Sequence, residues 1–134
     1  MKHLKYTLVI SLAILAACGN AEKDSEKKIA EDVTALHDVV MPKMEEIMKT
    51  QRELKEAATK DSTLRSSVDS LNAQLNAADD AMMEWMQAYN PNYYSEGHSH
   101  DEIVKYYEAE RKKIEDVQAQ MEKSISSAKQ FLKK

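Results

Sequence analysis

Leu64-Arg65-Ser66-Ser67-Val68-Asp69-Ser70-Leu71-Asn72-Ala73-Gln74-Leu75-Asn76-Ala77-Ala78-Asp79-Asp80-Ala81-Met82-Met83-Glu84-Trp85-Met86-Gln87-Ala88-Tyr89 decides the fold. Within it Leu64, Val68, Leu71, Leu75, Ala78, Met82, Trp85 and Tyr89 recur at steps of four and three without a break. This is a heptad seam held over about four repeats, the spacing of a helix that buries one stripe against neighbouring helices. No Gly or Pro interrupts it, so one helix is predicted over 62–89.

The flanking stretches carry the same period. Upstream, Ile29, Val33, Leu36, Val40, Met44, Ile47 and Leu54 predict a helix over 29–58. Downstream, Ile103, Tyr107, Ile114, Val117, Met121, Ile125, Ala128 and Leu132 predict one over 100–132. Asn90-Pro91-Asn92 ends the middle helix, because the residue before a proline avoids the α region. Gly97 marks a loop, and Ser99 with Glu102 three residues later forms a capping box that starts the last helix. Between the first two helices Thr59-Lys60-Asp61-Ser62 offers Asp61 as an N-cap but no Gly or Pro. The heptad phase can also be drawn straight through Leu54, Ala57, Asp61 and Leu64, which would make one long helix. The hairpin is preferred, since the three stretches then have similar lengths of about 30 residues, or about 45 Å at 1.5 Å per residue. The predicted fold is all-α, an antiparallel three-helix bundle with coiled-coil-like seams.

Pro42 falls inside the first helix. It removes one backbone donor and crowds the Asp38 carbonyl, so a kink near Asp38 is expected. The alternative is a helix that starts at Pro42, where Met41 would be a poor cap.

The start of the chain has a different pattern. Lys2, His3 and Lys5 precede an apolar run from Thr7 to Ala17, too short for a membrane-spanning helix, which needs about 20 residues. The run ends in Leu15-Ala16-Ala17-Cys18, followed by Gly19. This resembles the lipobox of bacterial lipoproteins. The resemblance implies cleavage before Cys18, diacylation of that cysteine with palmitate-type chains, and attachment to a membrane through lipid. Two acyl chains suffice for stable anchoring at about 0.8 kcal/mol per buried CH₂. Gly19 to Lys28 has no apolar side chain larger than Ala and reads as a flexible tether. The predicted organisation is a leader over 1–17, a lipidated Cys and tether over 18–28, and a bundle over 29–134. By resemblance to enterobacterial sorting, Gly19 rather than Asp after the cysteine permits export to the outer membrane. An acid-containing tether can also accompany display at the cell surface. A cell-envelope location follows from these features, with inner and outer membrane both open and the outer slightly preferred.

Composition narrows the function classes. The formal net charge is −4, and loss of Lys2 and Lys5 with the leader makes the mature chain about −6. Binding of DNA or RNA, which needs a basic face, is not expected. Cys18 is the single cysteine, so no disulfide within the chain and no cysteine-based zinc site are possible. With only Gly19 and Gly97 there is no glycine-rich phosphate loop. No nucleophile elbow is present, and no catalytic residue is assigned.

One constellation of side chains has metal chemistry. Met41, Met44 and Met48 lie on the first helix, and Met82, Met83 and Met86 lie on the second around Trp85, the only tryptophan. His37 shares a helix face with Met41. In the hairpin register His37 comes level with Glu84 and Trp85, and His98 and His100 return to the same pole. Thioether and imidazole ligands suit Cu(I), so His37, Met41, Met82, Met83, Met86, His98 and His100 are the candidate ligands, with Trp85 placed to stack on a bound cation. His98 and His100, with Asp101 and Glu102, could alternatively hold zinc or copper. The competing reading is core filling, in which methionines occupy the irregular space beside Pro42 and Trp85 serves the seam. A Met-rich groove for a partner helix is a third. Tyr89, Tyr93, Tyr94, Tyr106 and Tyr107 cluster at the same pole, where they pack the bundle end with hydroxyls toward water or form a recognition surface.

His37-Asp38-Val39-Val40-Met41-Pro42-Lys43-Met44 and Asp80-Ala81-Met82-Met83-Glu84-Trp85-Met86 are similar to a group of small bacterial lipoproteins sometimes labelled "viral A-type inclusion protein". The resemblance covers the lipobox and the first two helices, and less of the third. It implies the same helical architecture, no viral role and no catalytic residues. Two functions are carried forward. One is a non-enzymatic, lipid-anchored envelope protein that binds a protein partner or acts structurally. The other is an envelope protein handling Cu(I).

Overall fold

The computed structural model describes the backbone of residues 4–133, and the side chains of residue 19 and of residues 21–133. Cys18, the expected lipidation site, lies outside the described side chains. The chain forms α1 (Leu4–Val40), α2 (Pro42–Lys60), α3 (Arg65–Ala88) and α4 (His100–Leu132), with short 3₁₀ turns at Ser62–Leu64 and Tyr93–Ser95. Among the described residues no helix is long and apolar enough to cross a membrane.

The fold is an all-α bundle of three limbs, and α1 with α2 makes the first. Limb directions follow from cross-pairs. His37 meets Trp85, and Gln51 meets Asn76, so α3 runs antiparallel to the first limb. Glu26 pairs with His100, Asp32 with Arg111, Lys43 with Glu122 and Glu46 with Lys129, in ascending order on both strands of the pairing, so α4 runs parallel to it. α4 packs on all three other helices.

The predicted seams supply the core. Val33, Val40, Ile47, Leu54, Leu75, Ala78, Met82, Ile103, Tyr107, Ile114 and Met121 are wholly or almost wholly buried. Each fully buried aliphatic side chain contributes about 1.5–3 kcal/mol. Leu36, Met44, Leu64 and Leu71 lie half-buried at the edges of the seams. Polar residues also enter the seams. Thr50 sits between Ile47 and Leu54, with its hydroxyl on the Glu46 carbonyl at 2.8 Å. Glu110 sits between Tyr107 and Ile114, 3% exposed.

One alternative is excluded and two expectations are corrected. The long-helix alternative fails at Asp61, which is extended (φ −133°, ψ 103°) and accepts the Thr63 amide at 2.9 Å and the Thr63 hydroxyl at 2.7 Å. The side-chain cap of Asp61 supplies the stop that Gly or Pro would have supplied. The break at Pro42 falls at Met41 rather than near Asp38: Pro42 is the first residue of α2, and Met41 stays helical at φ −50°, ψ −41° with its amide on the His37 carbonyl at 2.9 Å. One missing N–H thus divides α1 from α2 without turning the backbone at Met41 out of the α region. The flexible-tether reading of Gly19 to Lys28 does not hold in the structure, because α1 runs through it. Ala, Glu and Lys are good helix formers, and Glu26 is buried against α4.

The connection to α4 forms as expected. Tyr89 is extended (ψ 128°), Gly97 takes φ 84°, and Ser99 and Glu102 make the full capping box.

Candidate functional site

The chemically richest part of the bundle is the pole where α3 turns into α4. The hairpin register sets it up. It places His37 of α1 on Trp85 of α3, with ring centroids 5.6 Å apart and planes at 25°. Trp85 stacks on Tyr89, one helical turn later, at 4.6 Å and 16°. Tyr89 meets Tyr107 of α4 edge-on at 6.3 Å, and Tyr107 meets Tyr106 edge-on at 5.1 Å. Tyr106 stacks on Tyr93 at 4.1 Å, and Tyr93 on His98 at 3.9 Å and 8°. Seven rings therefore form an unbroken contact path from His37 to His98, with a histidine at each end. Such ring pairs are worth about 0.5–1.5 kcal/mol each beyond the area they bury.

The hydroxyls in the middle of this path turn inward, which corrects the expectation that they face water. Tyr107 donates to the Pro91 carbonyl at 3.0 Å and accepts the Tyr94 amide at 3.3 Å. Tyr106 accepts the Asn90 amide at 2.7 Å. Tyr89 lies 3.1 Å from both the Ala30 carbonyl and the Thr34 hydroxyl. The loop lacks a regular ladder, and these phenols satisfy the backbone groups it leaves open. Burial pushes the Tyr107 phenol up to about 12 and also raises Tyr89 and Tyr106. All three stay protonated at neutral pH and act as hydrogen-bonding groups, not as acids or bases.

Around this wall the imidazoles separate. His37 bonds to Asp38 at 3.0 Å through Nδ1. His98 lies 3.8 Å from Glu96 through Nε2. His100 bonds through Nδ1 to Glu26 Oε1 at 2.9 Å, and this carboxylate partner raises the imidazole above its ordinary value. Glu102 is occupied by the Ser99 amide and hydroxyl, which hold its carboxyl below the usual range. The His98-Ser99-His100 run with Asp101 and Glu102 therefore does not converge. Among the described residues no three His, Cys, Asp or Glu side chains gather for a metal ion.

The methionines divide as well. Met82 is wholly buried in the core, its neighbour Met83 is 42% exposed, and Met41 and Met86 are half-buried against the core. Adjacent residues on a helix point about 100° apart, so Met82 and Met83 face different ways. The seven candidate ligands do not form one group. What the structure does bring together, as the register predicted, is His37 and Trp85.

Two buried carboxylates are missing from the sequence reading. Glu26 anchors His100 from within the expected tether, and it lies on the seam continued backwards from Val33 through Ala30. Glu110 is buried beside the tyrosines with Oε1 on Lys113 at 2.6 Å and Oε2 unpartnered. It occupies the heptad position between Tyr107 and Ile114, a step that apolar counting passes over. The Trp85 indole N–H is likewise shielded without a partner. No family model, curated protein or solved structure matches this chain.

Proposed function

We propose that this chain is a lipid-anchored cell-envelope lipoprotein whose bundle works without catalysis, as a structural or protein-docking element held close to the bilayer. The observation that carries this reading is the seating of Glu26 on His100, with α1 helical through Gly19. From Gly19 to Glu26 a helix spans about 11 Å at 1.5 Å per residue. An acylated Cys18 would then hold the aromatic pole within about one helix diameter of the membrane surface. Of its tyrosines, the half-buried Tyr93 and Tyr94 suit that level, each with an apolar body and a polar tip. Partner docking falls to the flanks, where Val39 (64% exposed), Met48 (51%) and Met83 offer apolar contact.

Metabolic labelling with an alkyne fatty acid tests the anchor. The wild-type chain should take up label and fractionate with membranes, and Cys18→Ser should lose both. An unlabelled wild-type chain would remove the reading. Photo-crosslinkers at Val39 and Met83, compared with one at the exposed Lys112, test docking. A discrete adduct from the first two sites that persists after chelation is expected, and equal yields from all three positions would count against a docking flank.

A second reading is favoured by the His37–Trp85 stack. His37, with Met41 one turn on and Met86 next to Trp85, provides imidazole and thioether groups of the kind that take Cu(I). Because Trp85 is the only tryptophan, an ion at His37 should quench its fluorescence. Titration of Cu(I) against a chromophoric chelator should show one-to-one quenching that His37→Ala and Met41→Ala abolish. Unchanged fluorescence returns these methionines to packing alone.

A further inference from the structure

We propose that the groove between α2 and α3, at the end of the bundle away from the aromatic pole, binds a multivalent oxyanion of the phosphate type. This proposal does not rest on lipid anchoring.

The groove follows from helical spacing. Met48, Arg52, Lys55 and Thr59 recur at steps of four, three and four on one face of α2, and Arg65, Asp69, Asn72 and Asn76 at steps of four, three and four on one face of α3. The two faces line an open groove of about 620 Å³. Val68 and Ala58 give it an apolar floor, and Met48 stands exposed at its rim.

Its charge is opposite to that of the whole chain. Arg52, Lys55 and Arg65 line it against a single carboxylate, Asp69, in a protein of net charge −4. Among the described residues none of these three cations has a carboxylate within ion-pair distance, whereas Lys27, Lys28, Lys43, Lys49, Arg111 and Lys112 each have one. Arg52 and Lys55 stand on α2 and Arg65 stands at the start of α3, spread along the groove. Two guanidinium forks and an ammonium strung along one groove suit an oxyanion that carries several phosphate groups. The apolar floor removes water from one side and strengthens the local field.

A neutral donor completes the site. Gln51 donates from Nε2 to Asn76 Oδ1 at 2.6 Å, which fixes the Asn76 amide and leaves its nitrogen free to donate.

Calorimetric titration of the full chain at low ionic strength tests the proposal, with two soluble probes, inorganic tripolyphosphate and dihexanoyl phosphatidic acid below its micellar concentration. An R52Q/R65Q chain removes the forks. A Lys105→Gln, Lys123→Gln chain, altered at exposed α4 positions, makes the same change in net charge. One-to-one binding of either probe, weakened about tenfold or more in R52Q/R65Q and within about twofold of wild type in the α4 control, is expected. Tripolyphosphate binding would identify a free oligophosphate, and binding of the short lipid alone a phosphorylated headgroup. Circular dichroism should show both variants folded, since the replaced side chains are exposed. Absence of binding by both probes, or equal weakening in both variants, would overturn the proposal.

Discussion

Tyr107 has no exposed surface, and its hydroxyl serves the Pro91 carbonyl and the Tyr94 amide. Tyr107→Phe keeps the ring and strands those backbone groups, so a loss of about 1–2 kcal/mol in urea unfolding is expected. Tyr93→Phe is the comparator, because no bond from its hydroxyl accompanies its stacking, and should stay within about 0.5 kcal/mol. Glu110 predicts the opposite sign. Its Oε2 is buried and unpartnered while its ion partner Lys113 is largely exposed. Glu110→Met fills the seam position with an apolar side chain and should stabilise the bundle by about 1–2 kcal/mol in the same assay. His100 makes stability depend on pH. Its folded-state value is raised by Glu26, so the contribution of the pair is complete below the ordinary imidazole value of 6.5 and is lost as pH rises through the raised value. Amide exchange at residues 22–28 should therefore quicken as pH climbs through that window, after correction for intrinsic rates, and His100→Gln should remove the step.

At the scale of elements, what was legible in the sequence is what period and local chemistry encode. The heptads of α3 and α4, the Ser99–Glu102 box, and the positive φ at Gly97 are all local signals. Gly97 gives a clean check, because a Cβ there would meet nothing within 4 Å. Gly97→Ala should cost about 1–2 kcal/mol through backbone conformation alone. The join between α1 and α2 was less legible, since Pro42 can either bend a helix or begin one and both outcomes share the same residues. Pro42→Ala restores the N–H that the Asp38 carbonyl lacks. A gain of about 1 kcal/mol in thermal unfolding is expected. A loss instead would mean that packing of α1 and α2 on α4 requires the break.

The whole molecule shows why the site was read only in part. Register placed His37 beside Trp85, because helix rise carries over long spans. It could not say which way each methionine or imidazole points, and a partner in another limb decides that, as Glu26 does for His100. The same long-range dependence hid the true start of the bundle. Gly19 to Lys28 has no large apolar residue, yet α1 is fastened at Glu26 and then, at Ala30 and Thr34, by the Tyr89 hydroxyl. A truncation series locates the boundary. A chain beginning at Ser25 keeps Glu26 and every buried residue after it, and should unfold at the same urea concentration as one beginning at Ala21. A chain beginning at Thr34 loses Ala30 and Val33 from the core, leaves His100 without its carboxylate, and deprives the Tyr89 hydroxyl of the Ala30 carbonyl. The apolar loss and the lost bonds of Tyr89 to Ala30 and of His100 to Glu26 together should cost more than about 3 kcal/mol, a large part of the 5–15 kcal/mol that holds a domain of this size. Equal midpoints for all three chains would show that the bundle begins after α1's first turns and that the Glu26–His100 pair decorates a frayed end. A loss already at Ser25 would place structural weight on residues 21–24, whose side chains are exposed. The expected step between Ser25 and Thr34 would make the aromatic pole and the amino-terminal helix a single cooperative unit, so that a pull on the amino-terminal end of α1 is felt directly by the rings.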